Sequence, residues 1–158
     1  MQNLWAPWRM EYILSDKSAG CFLCDAAKTT DDEAALVVCR REHGFCVLNR
    51  FPYNNGHLLI APYEHKAGLE DLTEEEMIGL FRLTRDVQAA LREEMAPHGF
   101  NIGANVGEAA GAGVPGHFHI HVVPRWSGDT NFMSVVSGTK VIPQSLEEVW
   151  RPLREHLA

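Results

Sequence analysis

The sequence predicts one domain of mixed strand and helix, and three observations carry that reading. Residues 117–123, HFHIHVV, alternate histidine with apolar side chains at the two-residue period of a strand. Leu69 to Met95 carries apolar residues at helical spacing. Around them lie short apolar runs cut by Gly, Pro and Asn, with no linker or repeat that would mark a second domain. A chain of 158 residues, 46% hydrophobic, can bury such a core without disulfide staples, so 1–158 is read as a single unit.

Residues 1–20 show no period but hold Trp5, Pro7, Trp8, Arg9 and Tyr12. Two tryptophans argue against a solvated tail, so this aromatic arm is expected to pack across the domain or against a second subunit. The amino terminus lacks the apolar h-region of a signal peptide, and no apolar run approaches the ~18 residues that span a bilayer. A cytoplasmic location and no membrane partner are the expectation. Gly20-Cys21-Phe22-Leu23-Cys24 opens an acidic, Ala-rich stretch that starts as a short helix. Its C-x-x-C spacing fits half a zinc site, a redox pair or coincidence, and no β-α-β pattern favours the redox version.

Strands follow over Ala35–Cys39 and Phe45–Leu48, with Cys39 and Cys46 flanking the break between them as small hydrophobes. Asn, Pro and Gly set the loop Asn49 to Gly56, and residues 57–62 form a third strand. His57 stands directly after that loop, where functional side chains collect. His65, just past the strand, is either solvated or a metal ligand. The helix to Met95 begins at a Thr73/Glu76 capping box and buries Met77, Leu80, Phe81, Leu83, Thr84, Val87 and Leu91. Pro97 and Gly99 end it. Phe100–Val106 is a fourth strand, the Gly-rich loop 107–116 leads into the histidine strand, and residues 144–157 form an amphipathic helix with Leu146, Val149, Trp150, Leu153 and Leu157 on one side.

A net charge of −7 and a pI near 5.6 exclude a long nucleic-acid partner, which would demand a basic face. Any phosphate must be met locally, by backbone N–H groups, imidazoles and a few cations. His117, His119 and His121 share one strand face at a spacing of ~6.6–6.8 Å, while Phe118, Ile120 and Val122 pack into the core behind them. Rings held in this way can act on one bound group or two adjacent ones. A metal shared by alternate histidines is the other reading. The glycines at 111, 113 and 116 would let backbone amides approach phosphate oxygens closely.

The segment His117 to Val123 resembles the signature of the histidine triad family, His-φ-His-φ-His-φ-φ with φ apolar. NRFPYNNGHLLIAPYEH is similar to the family's ribose-and-phosphate loop and the strand after it, so the resemblance covers about residues 21 to 125. The stretches LWAPWRMEYI and GAGVPGHFHIHVVPRWSGDTNFM resemble the bacterial branch of diadenosine tetraphosphate phosphorylases. The resemblance implies an α+β fold, with an antiparallel sheet of about five strands and flanking helices, usually as a homodimer. It makes His119 the nucleophile, with His121 and His57 on the phosphate oxygens, Asn49 on the ribose and Asn105 near the α-phosphate. It also implies a structural zinc held by Cys21, Cys24, His65 and His117, and no organic cofactor.

One departure concerns the polar pair that many members carry four and three residues before the first triad histidine. Here those positions are Gly113 and Val114; either amides of the glycine loop replace the missing side chains or the reaction uses a different acceptor, and phosphorolysis is favoured over simple hydrolysis. Arg125, Arg50, Thr130 and Asn131 are candidates for a phosphate acceptor pocket. The expected reaction is cleavage of diadenosine tetraphosphate by inorganic phosphate to ATP and ADP, through a nucleotidyl-histidine. The alternatives are hydrolysis of dinucleoside polyphosphates or nucleoside phosphoramidates to AMP, or a zinc-stabilised sensor that binds nucleotides without turnover.

Overall fold

The computed structural model of the chain describes residues 20–110, 114, 116–129 and 141–158. The aromatic arm up to residue 19, Gly111, Gly113, Thr130 and Asn131 lie outside them. Among the described residues the chain forms helix α1 (Phe22–Lys28), strands β1 (Val37–Arg41), β2 (Gly44–Leu48) and β3 (Leu58–Ala61), helix α2 (Glu74–Met95), strands β4 (Gly99–Gly103) and β5 (Ile120–Arg125), and helix α3 (Leu146–Leu157). The strands make one antiparallel sheet in the order β1-β2-β3-β5-β4. This is the expected α+β arrangement of five strands with flanking helices. None of the described helices is long and apolar enough to cross a membrane.

The core sits between the sheet and the two longer helices. α2 packs on β2, β3 and β5 through Leu80, Leu83, Val87 and Leu91, and α3 packs on α2 and β1 through Val149 and Leu153. Both helices start at the caps their sequences offer. Thr73 accepts from Glu76 N–H and Ser145 from Glu148 N–H, each glutamate bonding back to the cap's own N–H. Phe118, Ile120 and Val122 are buried in this core, as the alternation predicts.

Several boundaries differ from the sequence reading. β1 begins at Val37 rather than Ala35, because Leu36 takes a left-handed φ of 58° and ends a tight turn, its carbonyl still accepting from Leu48 N–H. Cys39 and Cys46 therefore lie within the strands, directly opposite each other, as buried free thiols. Leu69–Asp71 is a separate 3₁₀ turn, since the Thr73 cap stops α2 from extending backward. Phe81 points out, 61% exposed with Ile78 beside it, because the buried stripe of α2 is narrower than its run of apolar residues. β4 stops at Gly103, which leaves Asn105 in the loop beyond. The ladder of the histidine strand starts at Ile120, so His117 and His119 sit just ahead of it.

Candidate active site and metal centre

Cys21 caps α1 and Cys24 follows one turn later, which turns both thiols to one side. The segment after β3 folds back over the start of the triad. His117 Nε2–H donates to Pro62 O at 3.0 Å, and Phe118 N–H donates to Lys66 O at 2.6 Å. His117 Nδ1 is therefore a lone pair, 3.3 Å from Cys21 Sγ and 3.4 Å from Cys24 Sγ. His65 Nδ1 lies 3.2 Å from Cys24 Sγ. Gly116, at φ +88°, lets the chain pass this ring, since a Cβ there would stand 3.1 Å from His65 Nε2.

All four ligand atoms lie within 4.8 Å of one another. A tetrahedral zinc with bonds of about 2.0–2.3 Å has ligand edges of about 3.3–3.8 Å, so the set fits with small closure. As two thiolates and two neutral imidazoles, the four would form a closed site, and a metal held there would supply structural cross-linking. Among the described residues His119 and His121 are not part of this set, and His117 Nδ1 faces the two thiols.

Those two rings belong to a second constellation. His119 Nδ1–H donates to the carbonyl of His117 at 2.8 Å, which leaves Nε2 as the lone pair, with no hydrogen-bond partner among the described residues. His121 runs the other way. The Tyr53 N–H donates to His57 Nδ1 at 3.0 Å, and Asn49 Nδ2 approaches the same atom at 3.2 Å. The Asn49 amide is oriented by Phe51 N–H, which donates to its Oδ1. With His57 Nδ1 accepting, His57 Nε2–H donates to His121 Nδ1 at 2.9 Å. His121 then carries its proton on Nε2, and that buried atom has no partner among the described residues. The ring centroids of His119 and His121 are 4.8 Å apart. A lone pair and an unspent N–H donor thus stand side by side. Burial, then the neighbouring His119, lowers His121 to a pKa of about 4, and burial lowers His119 as well, so both rings are held neutral.

The loop that carries His57 is pinned by residues that sequence reasoning passed over. Asn54, 3% exposed, donates to Pro124 O and to Asp129 Oδ2 at 2.7 Å. Asp129 also takes two bonds from Arg125, and Arg125 Nη1 donates to Asn101 Oδ1. Arg125, expected in an acceptor pocket, spends three donors inside this network. The signal available in the sequence was the four-residue spacing of Arg125 and Asp129 after the triad strand. Arg50 is exposed and donates to Ala34 O, and Val114 is half-buried.

The family model named HIT domain matches residues 31–128, more than half of the chain. This chain belongs to the HIT, or histidine triad, family. Among its HIT relatives, AP-4-A phosphorylase of Mycobacterium tuberculosis is 40% identical over 97% of this chain and 83% of its own. A crystal structure of a zinc-bound histidine triad protein from Mycobacterium smegmatis superposes with a TM-score of 0.70 at 31% identity, covering 87% of this chain and 92% of that one. The diadenosine triphosphate hydrolase of Plasmodium falciparum, 23% identical with a TM-score of 0.61 over 77% of this chain, shares the HIT fold. The HIT match excludes Cys21, Cys24 and α3, which the M. tuberculosis relative spans. The chain is an enzyme of the HIT family, as that relative is.

Proposed function

We propose that the protein cleaves diadenosine tetraphosphate by phosphorolysis, giving ATP and ADP through a nucleotidyl-His119 intermediate. The observation that carries this reading is the hydrogen bond from His119 Nδ1 to the His117 carbonyl, which aims an unprotonated Nε2 at the space His121 faces. Nε2 attacks the α-phosphorus, its bond to phosphorus forms as the bridging oxygen bond breaks, and ATP leaves. Phosphate then attacks the same phosphorus, His119 departs, and ADP forms. Two inversions return the phosphoryl group to one site.

His121 Nε2–H and the His57 chain behind it bind the equatorial oxygens as charge shifts onto them. Asn49 meets the ribose and Asn105 the α-phosphate; Gly113, outside the described residues, is assigned to substrate binding as well, and Arg125 holds the loop through Asp129. The Cys21, Cys24, His65 and His117 set carries a structural zinc that fixes the register of His119 through His117. The same proposal includes a cytoplasmic homodimer. β4 supports the dimer, since it is an edge strand whose Ile102 is 42% exposed and unpaired edges invite partners.

Turnover of diadenosine tetraphosphate in ¹⁸O-water, with and without phosphate, tests the reaction. ADP and ATP formed only with phosphate and free of ¹⁸O are the expected products. ¹⁸O-labelled AMP would make the protein a hydrolase, and binding without turnover would make it a sensor.

A further inference from the structure

Tyr53 lies over the two imidazoles that face phosphate. Its ring centroid is 4.6 Å from that of His57 and 5.5 Å from that of His121, tilted 39° and 21° to them, and the residue is 50% exposed. One face of the ring thus covers the histidines while the other meets solvent. The hydroxyl has no hydrogen-bond partner among the described residues, so it does not anchor the ring. The backbone does: Phe51 N–H is bound to Asn49, and Asn54 is bound to Pro124 and Asp129. From that fixed position the Tyr53 N–H donates to His57 Nδ1 and sets the direction of every bond after it.

We propose that Tyr53 is a positioning residue for the phosphate-binding imidazoles, its ring roofing His57 and His121 and its main-chain N–H setting the direction of their shared hydrogen bonds. The proposal rests on the reading of His121 as a phosphate ligand. Without the roof, water reaches both rings and competes for His121 Nδ1, so the tautomer with Nε2–H loses its advantage. Water also solvates the imidazolium that burial now disfavours. The titratable groups facing His121 among the described residues are His57 from the residue before β3, His119 from just ahead of β5, and Tyr53, while β4 presents Gly103 at the paired position.

The test compares Tyr53→Phe, Tyr53→Val and Tyr53→Ala in the full chain, by steady-state phosphorolysis and by long-range ¹H–¹⁵N spectra of the ring nitrogens. The Phe variant keeps the roof and is expected to match wild type in both. Tyr53→Ala is expected to lower kcat roughly 10- to 100-fold with KM little changed, as for misplaced reacting groups. Its His121 nitrogens should lose the Nε2–H signature and titrate closer to the ordinary histidine range. Wild-type spectra and kcat in the Ala variant would overturn the proposal. So would a Phe variant as slow as Ala, because the hydroxyl would then act directly. If circular dichroism shows that Tyr53→Ala does not fold, Tyr53→Val is judged by the same criteria. Absence of phosphorolysis in the wild type would remove the proposed reaction, and the spectra alone would then decide the role of Tyr53.

Discussion

His119 and His121 are the same side chain two residues apart, one just ahead of β5 and one within it, and their Nδ1 atoms do opposite things. One donates to the His117 carbonyl and the other accepts from His57, so one ring offers a lone pair and its neighbour a proton. His119→Ala is therefore expected to abolish turnover while nucleotide binding persists, measured by product formation beside calorimetric titration with a nonhydrolysable dinucleotide. His57→Phe should be milder, because it removes only the bond that fixes the His121 tautomer, and a loss as deep as that of His119→Ala would contradict the assignment. Acid behaviour follows from the same burial. The folded-state pKa of His121, about 4, lies below the ordinary 6.5, so folding holds the ring neutral. The stability this represents is intact above about pH 6.5 and is lost as pH falls toward 4, where the unfolded chain binds the proton first. Urea midpoints should drop across that window, and less steeply in His121→Asn; parallel slopes would refute the shift. The triad was legible in the sequence because strand alternation is a local pattern, whereas C-x-x-C spacing offered only half a metal set and the resemblance supplied His65 and His117. The tautomers were not legible, since they depend on Pro62, Tyr53 and Asn49, which are remote from the triad in sequence.

Elements were legible where their signals are local and shifted where a turn intervened. The Thr73 box was read in the sequence and caps α2 at Glu74, five residues inside the expected start at Leu69, while the Ser145 box that caps α3 was not noted. β1 slid by two residues because Leu36 adopts a left-handed φ that no composition rule assigns to leucine. Phe81 was misplaced since helical spacing shows which residues share a face but not how wide a stripe the sheet covers. The end of α2 offers a direct test. Ala96, exposed, closes the helix at φ 45° and ψ 50°, a conformation glycine adopts without the Cβ clash. Ala96→Gly is expected to stabilise the fold by about 0.5–1 kcal/mol, raising Tm by a few degrees in calorimetry. A lower Tm would show that the loss of chain entropy outweighs the relief.

On the scale of the molecule, two ties fasten the amino-terminal helix to the rest. Arg40 from β1 donates to the carbonyls of Ala26, Ala27 and Thr29 at the end of α1, and shares Asp32 with Arg154 of α3. The second is the proposed metal set, Cys21, Cys24, His65 and His117, whose ligand atoms lie within 4.8 Å of one another. Elemental analysis is expected to find one zinc per chain. Cys24→Ser should lose that zinc and about 2–4 kcal/mol of stability in urea titration, the range for loss of a native cross-link. A zinc-free variant with the wild-type midpoint would leave the metal no structural role. The ligand set was expected from the family resemblance, whereas the Arg40 tie was not open to reading along the sequence, because it joins residues whose proximity only the fold creates.

The metal set also has a history within each molecule's synthesis. Cys21 and His117 stand 96 residues apart. At about 5–20 residues per second, roughly 5 to 20 s pass between the emergence of the thiol pair and that of its last nitrogen ligand. If the set holds the proposed zinc, a newborn chain carries the thiol half of the site before its imidazole partners are made. The order in which the ribosome delivers the ligands makes the reducing power and zinc supply around it part of the folding problem.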